Sequence, residues 1–99
     1  MDLYVVQYHM MDSKVIYYTT DIKFSQDTLL GTYDLKLANF YKKAGTAKNV
    51  MKKEINTTKC YKAKPEDMSK YAVERRNILS ISVEKLDIKV GKTIAFETI

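Results

Sequence analysis

Ninety-nine residues, 45% of them apolar, with one cysteine and a net charge of +5, make one domain (1–99) large enough for its own core. They exclude an intrachain disulfide, since Cys60 stands alone. No apolar run approaches the roughly 18 residues needed to cross a bilayer, so no membrane association is expected.

The opening Met1-Asp2-Leu3-Tyr4 lacks the basic-then-apolar pattern of a secretory leader, which points to a cytoplasmic setting. Fifteen lysines stand against two arginines. That bias fits AT-rich coding, and hence a phage, viral or mobile-element product acting in host cytoplasm.

Leu3 to Met11 is apolar on both alternations, as in a strand covered on two sides. Asp12-Ser13 suits a tight turn. Val15 to Phe24 alternates as a partner strand, with Ile16, Tyr18, Ile22 and Phe24 on one face. Ser25 to Tyr33 reads as a connector.

Asp34 can cap a helix whose apolar positions are Leu37, Phe40, Tyr41 and Ala44, with Gly45 just past its end. Thr46 can cap a second helix carrying Ala47, Val50, Met51 and Ile55. One helix running through Gly45 is disfavoured by about 1 kcal/mol relative to alanine. Asn56 to Lys64 has no clear period, and Cys60 and Tyr61 are expected to anchor it to the core. Pro65 suits a first helical turn, with Glu66 and Asp67 at the positive dipole end and helical spacing to Arg76.

From Ile78 the period becomes two. Leu79, Ile81 and Val83 are out of phase with Leu86, Ile88 and Val90, which places a bulge or turn at Glu84-Lys85. Gly91-Lys92 reads as a two-residue hairpin loop, and Thr93 to Ile99 as a closing strand with Ile94 and Phe96 inward. The expected fold is α+β: an antiparallel sheet, built from the N-terminal hairpin and C-terminal strands, packed against two or three short helices.

The charge is concentrated. Residues 36–64 hold nine lysines against one acid, Glu54, while residues 1–35 sum to −3 and residues 65–99 to zero. A basic face of this kind neutralises phosphates and releases counterions. Lys42, Lys43, Lys48, Lys52, Lys53, Lys59, Lys62 and Lys64 are the phosphate-contact candidates. Asn49 and Tyr61 are the candidates for contact with a base. The bland alternative is a solvated lysine face with the aromatic residues in the core.

Leu37 to Asn56, with Ala44-Gly45 at the turn, resembles a helix-turn-helix in outline. It departs from that unit at Tyr41, where a small residue is usual, and at Glu54, where an apolar one is usual. Otherwise these residues form two short amphipathic helices packed on a sheet.

Catalytic signals are sparse. Asp21-Ile22-Lys23 and Asp87-Ile88-Lys89, with Glu66-Asp67, match the acids of magnesium nucleases only in composition. His9 and Cys60 are too few for a zinc site, and Cys60 becomes a nucleophile only if His9 comes beside it. No cofactor is expected. The reading is a non-enzymatic, basic accessory protein that binds DNA or RNA. The alternative is an inhibitor or adaptor that docks on an acidic host protein, such as a nuclease or defence effector. A homodimer formed by strand-edge pairing is compatible with either.

Overall fold

Two-sided strands need cover on both faces, and the architecture supplies it. The structure, a computed structural model, describes residues 2–21, 28–88 and 94–98. Its strands are β1 (Asp2–Met10), β2 (Val15–Tyr17), β3 (Ile78–Ile88) and β4 (Ile94–Thr98). They form one antiparallel sheet in the order β2-β1-β3-β4. Helices α1 (Ala44–Lys62) and α2 (Lys70–Arg76) complete an α+β fold.

On the helix-covered face Val6, Tyr8, Ile16 and Val83 are buried, and Ala47 of α1 sits against Val6 and Val83. On the opposite face Val5 and Leu86 pack with Ala38, Leu3, Leu35 and Tyr17. Each fully buried aliphatic side chain contributes roughly 1.5–3 kcal/mol.

The hairpin turn is as expected. Asp12 Oδ1 accepts from the Lys14 N–H at 3.0 Å, and Ser13 takes the left-handed conformation at φ 73°. β2 is shorter than its alternation suggests and ends at Tyr17. Beyond it, the Tyr18 N–H still donates to the Val6 carbonyl at 2.9 Å. Asn39 then holds the backbone N–H of Thr20. The expected strand positions Ile22 and Phe24 lie outside the described residues. Tyr17 and Thr32 exchange both backbone hydrogen bonds. That bridge brings Gly31 so close that a Cβ there would stand 2.1 Å from the Tyr17 carbonyl oxygen.

The expected helix after Asp34 is a single 3-10 turn, Leu35–Leu37, capped by the Asp34 side chain as anticipated. The chain then stays extended, because Tyr41 exchanges both backbone hydrogen bonds with Tyr4 at 2.8 and 2.9 Å. Tertiary pairing has displaced local helical periodicity.

α1 runs unbroken for 19 residues through Gly45. Gly45 lies in the first turn, where the N–H groups have no intrahelical partner, so the interior penalty is reduced. Among the described residues no α-helix precedes it, only the 3-10 turn Leu35–Leu37, and the helix-turn-helix resemblance is overturned. The helix also continues past Asn56, because Thr58 is buried and Tyr61 half-buried on the side that faces the fold. Cys60, expected in the core, is exposed.

Pro65 lies in a turn instead of opening a helix. α2 starts at Lys70, where Ser69 Oγ accepts from the Ala72 N–H at 3.3 Å.

β3 has no break at Glu84-Lys85. Its register with β1 is regular from Asp87 to Ser80, and the irregularity falls between His9 and Met10. His9 pairs with Ser80 and Met10 with Ile78, which leaves Leu79 as the extra residue, 67% exposed. The phase change in the sequence has another cause: Ile81 and Val83 serve the helix-covered face, and Leu86 serves the other. Among the described residues β4 pairs only with Glu84 to Ile88 of β3. The Gly91-Lys92 loop and the inward setting of Ile94 and Phe96 lie outside what the structure describes.

Candidate nucleic-acid interface

The orientation of α1 follows from one buried cluster. Glu54, the single acid in residues 36–64, faces the sheet instead of solvent. Tyr8 donates to its Oε1 at 2.6 Å, and both terminal nitrogens of Arg75 reach the same atom at 3.3 Å. Arg75 also donates to the Tyr71 hydroxyl at 2.6 Å and lies over the rings of Tyr8 and Tyr71. Thr58 Oγ1 accepts from Arg75 at 3.4 Å.

Burial and the hydrogen bond to Glu54 push the Tyr8 hydroxyl far above its ordinary titration range. Burial works against the charge on Arg75, but Tyr71, Tyr8 and Glu54 outweigh it and raise its pKa. A buried carboxylate next to a guanidinium is held with its charge matched. Glu54 therefore offers nothing to the lysines outside.

Helical geometry fixes the rest. At about 100° per residue, Lys48, Lys52 and Lys59 lie along one flank of α1 and Lys53 on the other. Asn49 and Asn56 occupy the ridge between them. All six side chains are exposed. Among the described residues, none of these four lysines makes an ion pair. Lys42 and Lys43 precede the helix and Lys64 follows it, also exposed. The N-terminal end of α1 has neither a capping side chain nor an acid in its first turn. The lysines there add to the positive end of the helix dipole.

Two sequence candidates are placed differently. Lys62 Nζ donates to the Ile78 carbonyl at 2.9 Å, so it ties α1 to β3. Tyr61 is half-buried, its ring edge-to-face with Tyr71 at 5.3 Å and 77°. Phe40, 42% exposed, is the more open aromatic. Asn56 was missed because it reads as the end of the helical period. The signal was present, since Thr58 and Tyr61 continue the inward positions at three-residue steps.

The sheet face away from α1 carries a second polar cluster. Ser82 Oγ donates to Glu84 Oε1 at 3.0 Å and lies 2.7 Å from His9 Nε2. Ser82 thus bridges His9 and Glu84 on this face. Burial, then the charge of Glu84, raises the Tyr17 hydroxyl pKa. Exposed Cys60 is on α1 and His9 faces away from it, so the two do not meet. Among the described residues no group of three His, Cys, Asp or Glu is placed to hold a metal ion, and no helix is long and apolar enough to cross a membrane. Comparison with protein-family models, curated proteins and solved structures finds no match to this chain.

Proposed function

We propose that this chain is a non-enzymatic nucleic-acid-binding protein whose α1 enters the major groove of a DNA duplex, with contact to RNA limited to its phosphates. The observation that carries this reading is the outward face of α1, cationic on both flanks while its only acid is buried against Arg75. A helix of about 10–12 Å diameter fits the major groove of B-DNA, roughly 12 Å wide. Flanking lysines then reach phosphates on the two walls. Asn49 and Asn56 on the ridge face the base edges, where asparagine pairs with adenine. Lys42, Lys43 and Lys64 extend the contact beyond both helix ends.

The test is anisotropy with labelled duplex DNA and RNA across a salt series. Each phosphate contact contributes about one unit to the slope of log affinity against log salt. Changing Lys48, Lys52 and Lys53 together to alanine is expected to reduce that slope by about three units. Asn49→Ala is expected to weaken binding only on duplexes with an adenine in register. Wild-type protein that binds no duplex at low salt, or binds with no salt dependence, overturns the reading. Docking on an acidic protein surface through the same lysines would then be favoured.

A further inference from the structure

The inner flank of α1 borders a groove of about 320 Å³ against β3, walled by Ile55, Thr58, Ile78 and Ile81, with Lys59 and Lys62 at its rim. Its floor is a strand edge. Tyr4 exchanges backbone hydrogen bonds with Tyr41, and the Val6 carbonyl accepts from Tyr18. The even residues of β1 thus direct their backbone groups away from β3, and the odd ones toward it. By the register, Ser80, Ser82 and Glu84 of β3 point their N–H and C=O groups at β1. Ile81 and Val83 point theirs the other way. Among the described residues, β4 reaches only to Glu84, so no strand covers the edge at Leu79 to Val83. The bulge at Leu79 and the Lys62 bond to the Ile78 carbonyl close one end.

We propose that this groove takes an extended protein segment as an added β-strand, whose side chains at every second position turn toward α1, apolar ones entering the groove and acidic ones meeting the lysines at its rim. An unpaired strand edge is matched by another peptide backbone, and a groove beside it selects alternate side chains. The lining has no aromatic ring on which a base could stack, so it does not suit a nucleic-acid strand. It contains two lysines and no acid, and Lys48 and Lys52 continue the same flank. That favours a segment of negative charge. A second copy of this chain fits poorly, because two-fold edge pairing would set the lysine flanks of two α1 helices against each other.

The experiment titrates the protein with a fluorescein-labelled eight-residue peptide in which threonine alternates with isoleucine or glutamate, so that isoleucine and glutamate share one face of the strand. Two other peptides serve for comparison, one with lysine for glutamate and one N-methylated at alternate residues. Saturable binding of the acidic peptide is expected, weakened at least tenfold by N-methylation and absent for the basic peptide. Lys59→Glu is expected to weaken it at least tenfold, and Lys36→Glu, an equal charge change on the 3-10 turn, less than twofold. Circular dichroism melts check that both variants fold. Ser80 and Ile81 amide resonances should shift on binding. No binding, equal binding of the N-methylated or basic peptide, or equal losses in the two variants overturns the proposal. Dimerisation of the free protein with protection of the Ile81 amide also overturns it.

Discussion

Arg75 and Glu54 meet inside the protein at 3.3 Å, with side chains only 4% and 11% exposed. This contact joins α2 to α1 and turns the sole acid of the lysine-rich segment away from solvent. Stability and surface charge therefore depend on the same pair. The Nε of Arg75 is buried without a partner, so the arrangement already carries one unmet polar group.

Breaking the pair from one side should be costly. Glu54→Leu leaves the Arg75 guanidinium buried without its counter-charge, a loss of about 3–5 kcal/mol. Arg75→Met strands Glu54 to a similar degree. Replacing both, as Glu54→Leu with Arg75→Met, should cost clearly less than the sum, because two apolar side chains need no partner. Urea unfolding of all four proteins measures this coupling. Additive losses would show that the pair does not act as a unit.

Alkaline pH should unfold the protein through its tyrosines. Burial raises the Tyr8 hydroxyl, assisted by Glu54, and Arg75 opposes it; burial also raises Tyr17 and Tyr18. Each folded-state value lies above the unfolded one near 10. The neutral hydroxyls thus stabilise the fold fully below about pH 10 and progressively lose that contribution above it. Unfolding free energies between pH 8 and 12 should fall above that point. Tyr8→Phe should reduce the slope by about 1.4 kcal/mol per pH unit, the share of one proton. It should also lower stability at neutral pH by about 1–2 kcal/mol through the lost hydrogen bond. An unchanged alkaline slope in Tyr8→Phe would contradict this assignment.

Two glycines should respond in opposite directions. Gly31→Ala places a methyl 2.1 Å from the Tyr17 carbonyl oxygen, which cannot move without breaking its bridge to Thr32. A loss of about 1–3 kcal/mol is expected. Gly45→Ala meets nothing within 4 Å and lies in α1, so it should gain up to about 1 kcal/mol. Thermal melts should show Tm shifts of opposite sign, about 4–8 °C per kcal/mol for a domain of this size. A higher Tm for Gly31→Ala would contradict the close approach.

Strands were easier to read than helices here, for a physical reason. Leu3 to Met10 is apolar on both faces, and Ile78 to Ile88 is strand-like throughout, although its change of phase at Glu84-Lys85 suggested a break that β3 does not have. The stretch Asp34 to Ala44 carries a valid helical pattern, yet Tyr41 is drawn into backbone pairing with Tyr4, about forty residues away in sequence. No local pattern records that partner. Gly45 misled in the same way, since a glycine in the first turn of one helix looks like the stop of another. Cys60 and Tyr61 looked like anchors, but only Tyr61 falls on the inward side of α1.

The amino-acid sequence by itself determined the segregation of charge, the two-faced strands and the α+β composition, because these depend on residue identity and period alone. Tertiary structure decided what those charges can do. By setting Arg75 of α2 beneath α1, the fold buried Glu54 and left Lys48, Lys52, Lys53 and Lys59 facing solvent with no counter-ion among the described residues. That outcome rests on a contact across 21 residues, where desolvation makes a matched partner obligatory and no nearby position in the chain supplies one.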